Sequence, residues 1–461
     1  MAKTTIDMTE GRPLPLLLRF GLPTLAGNLL HQAYSLTDGI IVGKYLGKTA
    51  LAAVGCTMPI VLLLAALMVG INIAVGILIG QHFGRRDEEG MRRSFLNSLY
   101  LGLFISAVVA AVGGAASEPI LLWMGTPAGP LADAATYLRI NFITTFCPML
   151  YFLFSSAFRG MGDSRTVLWC LIISVVSNIG LDVLFVAVLE MGVAGSAWAT
   201  ALAQGLSAVV AMVLFWKKYP VFRPSAADLR PDPAQLWRVT KLAGPIALQT
   251  AFTNLGNLVA QSGVNTFDET VMAAYTAANR LGALALMPLE TIGGTLSVYA
   301  GQNYGAGKPE RIRSGVRVGL VLVLIVSTVL GVVLLLTGSW LITLFLDEVT
   351  PETPEIIAAA RSYLLIAAVP GVLAGIMYVF QQVLRGINHP NHAMAGGLTE
   401  LTVKIGVVAL GAWRLHSLNV VWLAWPLSFV AGTLWPLIYY HKSSRALSRE
   451  QNDGCRAEDE P

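Results

Sequence analysis

The chain has 461 residues, 55% of them hydrophobic and only 13% charged, with a mean hydropathy of +0.65. A soluble domain carries about 25% charged residues, so the composition excludes a water-soluble globular protein and makes lipid the solvent for most of the chain. The net charge of +4 does not point to nucleic acid, because the basic residues sort by loop along an apolar chain.

Residues 1–18 form a short cytoplasmic lead without the long apolar core and small-residue cleavage site of a removable signal peptide. Charge-free runs long enough to cross a ~30 Å hydrocarbon layer then recur, the cleanest at 94–117, 191–216, 242–267, 318–346, 362–384 and 415–440. With shorter or acid-interrupted runs included, twelve spans are predicted, centred near residues 32, 68, 105, 148, 177, 204, 252, 286, 327, 370, 402 and 430. Six fill 19–216 and six fill 238–440. The interval 217–237, with Pro220, Pro224, Pro231 and Pro233, reads as a cytoplasmic linker, and 441–461 as a cytoplasmic tail.

The two halves repeat each other. Gly80-Gln81-His82-Phe83-Gly84, followed by Arg92-Arg93, is echoed by Gly301-Gln302-Asn303-Tyr304-Gly305, followed by Lys308, Arg311, Arg313 and Arg317. Gly21-Leu22-Pro23 answers Gly244-Pro245, and Arg159-Gly160 answers Arg385-Gly386. Six helices per half bring the second copy in from the same side as the first. The expected fold is therefore an all-α membrane protein, with twelve transmembrane helices in two six-helix lobes (parallel repeats) around a central cavity. With the N-terminus inside, 24 of the 31 basic residues fall on one side and 6 on the other, with Lys404 inside a span. That asymmetry sets both termini in the cytoplasm.

An ionisable group inside a span needs a reason to be there. Asp38 ends the first span, and Asn28, His31 or Gln32, and Ser35 share its helical face. In the fifth span Ser174, Asn178 and Asp182 form another single stripe, and Thr200 of the sixth adds a hydroxyl. Two carboxylates in a dry interior compete for one proton or share a cation. The competing reading makes Asp38 and Asp182 solvated caps at the outer face. At an offset of 222 the seventh helix keeps a polar stripe of Thr250, Asn254 and Asn257 but has Ala260 in place of Asp38. At an offset of 226, Ser174 and Asn178 become Glu400 and Lys404, spaced to neutralise each other. Glu290 in the eighth span is either a cavity acid that attracts cations or a partner for Arg280 or a neighbouring helix. Pro23 removes a backbone hydrogen bond and favours a kink in the first helix.

Other motifs fail. Gly43-Lys44-Tyr45-Leu46-Gly47-Lys48-Thr49 lacks phosphate-loop spacing and no strand precedes it. Gly301, Gly305 and Gly307 follow a membrane helix, which excludes a dinucleotide fingerprint. His389 and His392 have no third ligand for a metal, and the four cysteines show no paired spacing. No hydrolase motif is present, no enzyme activity or cofactor is expected, and without a nucleotide-binding module or an ATPase subunit any transport would draw on an ion gradient.

Over roughly residues 12–440 the chain resembles the multidrug and toxic compound extrusion (MATE) transporters, most nearly their bacterial DinF-like branch. The resemblance rests on Leu36-Thr37-Asp38-Gly39-Ile40-Ile41-Val42-Gly43, Phe158-Arg159-Gly160-Met161-Gly162-Asp163-Ser164, Asn178-Ile179-Gly180-Leu181-Asp182 and Gly301-Gln302-Asn303-Tyr304-Gly305-Ala306-Gly307. It implies a multi-pass protein of the bacterial inner membrane that exports organic cations or amphipathic toxins against protons or sodium ions. It also implies a coupling-ion cluster at Asp38, Asn178, Asp182, Thr200 and Tyr137, with the first helix bending at Pro23. The sodium-coupled branch carries acids on the seventh and tenth helices. Here Asn254 stands near the first of those places and 362–384 has no acid, so no sodium site of that kind is expected.

Candidate cavity and substrate residues are Gln32, Tyr34, Tyr151, Phe252, Asn254, Asn257, Met287, Glu290 and Tyr299, the aromatic faces being able to take cations, with core packing as the competing role. The expected partners are small amphipathic or cationic molecules and the lipid bilayer, with no nucleic acid and the chain acting as a monomer. The alternative function is a lipid-linked saccharide or lipid flippase. A membrane-embedded enzyme has little support, and a receptor would lack any domain to carry its output.

Overall fold

The structure, a computed structural model, describes residues 4–224, 230–343 and 353–458. Its described residues contain helices and no strands. The first two helices, α1 (13–46) and α2 (Thr49–Gly84), run on with a break at Gly47, which adopts φ 80° and ψ −173°. Then follow α3 (Glu88–Trp123), α4 (Ala128–Ile143 and Phe146–Gly160, bent by 45°), α5 (Ser164–Val188) and α6 (Gly192–Lys218). The second series is α7 (Pro233–Val264), α8 (Glu269–Gly305), α9 (Pro309–Thr343), α10 (Thr353–Ala367 and Gly371–Gly386), α11 (Pro390–Arg414) and α12 (Leu418–Ala446), the last continuing helically to Glu458. Among the described residues eight helices are long and apolar enough to cross a membrane, and ten if each bent pair is one span. The polar-striped α1 and α7 complete the twelve. Pro23 lies within α1 without ending it.

Two compact units divide the described chain. One holds the residues up to Asp7 with Leu22–Ala247, the other Met8–Gly21 with the residues from Leu248 onward. Sequence reading kept 1–18 together as a lead and 217–237 as a linker. The structure divides the lead at residue 7, and helix takes both ends of the linker, because Pro233 is well suited to a first helical turn.

The repeat is written into the backbone. Left-handed residues pair across it at Arg86 and Gly307, Gly162 and Asn388, and Glu190 and His416. A wide turn closes α5, with Leu189 N–H donating to Leu184 O at 2.8 Å, and an equivalent turn closes α11, with Leu415 N–H donating to Leu410 O at 2.9 Å. Such five-residue turns inside α-helices concentrate at functional sites. Close helix approach repeats too. A Cβ at Gly160 would lie 2.6 Å from Gly76 O, and one at Gly386 would lie 2.6 Å from Ser297 O.

Each unit has its own core. In the first, Phe215 is fully buried and its ring centroid lies 4.5–5.4 Å from those of Phe222, Phe95, Phe158 and Phe154. The second packs Tyr275, Tyr363, Trp422 and Trp425. Large apolar side chains such as Leu336, Phe104 and Trp169 are exposed, as helices bathed in lipid require. The lead is well anchored. Thr4 Oγ1 donates to Asp163 at 2.8 Å. In the second unit Met8 N–H donates to Gln302 Oε1 at 2.8 Å, and Met8 O accepts from Asn303 Nδ2 at 3.0 Å. Gln302 and Asn303, in the second copy of the repeated motif, thus hold the backbone at Met8.

Candidate functional site

Within the first unit, α5 and α6 run antiparallel with their polar faces together. Ser207 Oγ donates to Cys170 O at 2.7 Å, and the Asn178 amide lies 3.3 Å from Thr200 Oγ1. That register sets Asp182 level with Ser196, Asn178 with Thr200, and Ser174 with Gln204. All of them except Thr200 and Gln204 are buried, Asp182 completely. From α1, the half-buried Asp38 accepts a hydrogen bond from Ser196 Oγ at 3.2 Å, and the Tyr34 hydroxyl lies 3.3 Å from Thr200 Oγ1.

The Asp38 and Asp182 carboxyls lie within interaction range of each other, and two facing acids compete for one proton. Asn178 is oriented by its neighbours, its Nδ2 donating to Asp182 Oδ2 at 2.7 Å and its Oδ1 accepting from Thr200 N–H at 3.3 Å. Asp182 Oδ1 is buried and receives no hydrogen bond from the neutral donors around it. Tyr137 of α4 lies within electrostatic reach of both acids. The cluster can hold one proton between two carboxyls, or a small dehydrated cation among carboxylate, amide and hydroxyl oxygens.

The structure therefore brings Asp38, Asn178, Asp182, Thr200 and Tyr137 into one place, and adds Tyr34, which sequence reading had put on a cavity wall. Ser196 and Gln204 were missed. Their signal was present, since 196, 200 and 204 share one face of α6. Tyr151 is buried against Phe152 and lines a small cavity with His31, Tyr34, Ser174 and Gln204, while Gln32 is half-buried on α1. The side chain of Ser35 lies outside the described residues.

The remaining candidates belong to the second unit. Phe252, Asn254 and Met287 are half-buried and Asn257 is exposed. Of the two roles expected for Tyr299, cavity wall and core packing, the structure shows core packing. Tyr299 is fully buried, its hydroxyl donates to Arg311 O at 3.2 Å, and its ring lies against Gly315. Glu290 is exposed on α8 and faces the charge of Arg385 on α10, not Arg280. Arg385 itself donates to Gln249 Oε1 at 2.8 Å. Glu400 and Lys404 form a buried ion pair at 3.2 Å, and the fully buried Ala260 and Val408 stand at the repeats of Asp38 and Asp182.

Fold and side chains together define a multi-span membrane transporter made of two repeated halves. The MatE family model matches residues 23–184 and 245–407, one stretch per half, and the chain belongs to the MATE family. It is 29% identical over 431 residues to "Probable multidrug resistance protein YoeA" of Bacillus subtilis (strain 168), covering 91% of this chain and 92% of that one. "Probable multidrug resistance protein YpnP" of the same organism is 30% identical over 380 residues, covering 82% and 84%. The fold is that of a solved MOP-superfamily transporter from Pyrococcus furiosus, with a TM-score of 0.89 at 21% identity over 97% of this chain and 99% of that one.

Proposed function

We propose that the chain is a secondary antiporter of the bacterial inner membrane, exporting organic cations or amphipathic toxins in exchange for protons or sodium ions. The observation that carries this reading is the pairing of Asp38 with Asp182 inside one unit, surrounded by Asn178, Thr200, Ser196 and Tyr34. The printed names of YoeA and YpnP support a multidrug substrate range. The basic-residue asymmetry supports cytoplasmic termini.

An ion arriving from outside neutralises the repulsion of two facing acids and draws α1 and α5 together through their side chains. Substrate and ion need not touch; each must prefer a different conformation of the same chain. The chain acts as a monomer, without a cofactor, a nucleic acid or an ATPase subunit. In proteoliposomes carrying an imposed ion gradient, Asp38→Asn is expected to abolish ethidium efflux while inserting normally. Efflux by Asp38→Asn as fast as that of the unaltered chain would refute the assignment.

A further inference from the structure

The two units differ along matching helix faces. In the first unit, α1 and α5 pair Gly27 with Leu171; in the second, α7 and α11 pair Gln249 with Gly397, the small and large partners exchanged. Those positions are 222 residues apart on α1 and α7, and 226 apart on α5 and α11. The same offsets carry Tyr34 to Gly256 and Asn178 to Lys404, and these too face each other: a Cβ at Gly256 would lie 3.2 Å from Lys404 Cδ and 3.7 Å from Nζ. The space that a tyrosine takes in the first unit is opened by a glycine in the second, and a lysine stem fills it. Lys404 Nζ ends 3.2 Å from Glu400 Oε1 and 6.0 Å from the Phe429 ring centroid, with 2% of Lys404 and 4% of Glu400 exposed.

We propose that Lys404 is a tethered cation occupying the second unit's copy of the ion site, so that this unit stands permanently loaded and only the first exchanges an ion. Glu400 is then a latent cation site, open to a proton, a sodium ion or a small alkylammonium once the lysine is removed. An ordinary buried ion pair one turn apart would also satisfy both charges within α11. What separates the two is that a tethered cation can be replaced by a free one. The inference rests on reading Asp38 and Asp182 as the first unit's ion site. It adds that Glu400, held by Lys404, takes no part in the ion exchange.

The test uses the purified chain in detergent, with unfolding temperature read against methylammonium chloride and against the bulkier cation of choline chloride. Lys404→Ala should unfold at a lower temperature than the unaltered chain and regain at least half of that loss in millimolar methylammonium, but none in choline. The unaltered chain and the double variant Glu400→Gln/Lys404→Ala should not respond. Failure of Lys404→Ala to respond, or an equal response from the double variant, overturns the proposal.

A second measurement does not depend on Lys404→Ala folding. The double variant Asp38→Asn/Asp182→Asn, with the second unit intact, should show no sodium- or acid-dependent stabilisation. A residual response that Glu400→Gln removes overturns the tethered-cation account. A residual response indifferent to Glu400 instead overturns the reading of Asp38 and Asp182.

Discussion

Gly160→Ala isolates one close contact that recurs in each half of the chain. The added Cβ would lie 2.6 Å from Gly76 O and 3.2 Å from both Gly80 N and Ile79 Cβ, whereas ordinary contact begins at 3.4 Å. Two of those neighbours are backbone atoms of α2, which no rotamer change can move. The helices must separate locally by about 0.8 Å, the difference between 3.4 and 2.6 Å. Overpacking of this kind costs roughly 1–3 kcal/mol, and a rigid neighbour argues for the upper half of that range. Alanine returns up to about 1 kcal/mol as the better helix former, leaving a net loss of about 1–2 kcal/mol. Equilibrium unfolding in mixed detergent micelles would measure it. Gly55→Ala, whose new Cβ would meet nothing within 4 Å, is the control and should be neutral or slightly stabilising. Because a Cβ at Gly386 would lie the same 2.6 Å from Ser297 O, Gly386→Ala should lose a similar amount. If Gly160→Ala unfolds together with Gly55→Ala, the close approach of α2 and α4 is wrong.

Two other expectations concern loops outside the membrane. Burial alone would raise the Asp87 carboxyl, but the Gly90 N–H, the His82 hydrogen bond and the charges of His82 and Arg85 hold it below the usual carboxylate range. A lowered value means that the stabilisation is present at neutral pH and fades as acid protonates the folded carboxylate. Asp87→Ala should therefore cost about 1 kcal/mol at neutral pH as a lost N-cap. Its unfolding midpoint should converge on that of the unaltered chain below about pH 4. Asp163 is fully buried and accepts from Thr4 Oγ1 at 2.8 Å, Thr166 Oγ1 at 2.7 Å and the Tyr219 hydroxyl at 3.1 Å, with Lys218 Nζ at 3.5 Å. Asp163→Ala strands these donors and should cost about 3 kcal/mol. Amide exchange at residues 4–7 should accelerate, whereas unchanged exchange there would show that Asp163 does not anchor the lead.

Much of this was legible in the residues. Lipid removes every spanning solution except helices and closed barrels, so hydropathy alone nearly determines the helices, and the motif echoes give the repeat. Asp38 and Asp182 stood out because an ionisable group in an apolar helix is costly, and their stripes follow the helical period, although solvated caps at the outer face remained a competing reading. Ser196 and Gln204 escaped because small or neutral residues on an Ala-rich helix look like packing surface. Pairings such as Glu290 with Arg385 depend on how helices distant in sequence are rotated, which no local pattern encodes. Tyr299 was left between cavity wall and core for the same reason: an aromatic residue near a helix end gives no sign of whether a glycine, here Gly315, waits opposite. The anchoring of the lead was invisible because its partners Asp163, Gln302 and Asn303 lie far along the chain, and part of it uses main-chain groups, which every residue carries.

Substrate efflux from proteoliposomes under a pure proton gradient and a pure sodium gradient, run in parallel for the unaltered chain and Asp182→Asn, tests the coupling site most directly. The account predicts that at least one gradient drives the unaltered chain, and that Asp182→Asn responds to neither while still binding substrate. Gradient-driven efflux by Asp182→Asn at the unaltered rate would contradict it.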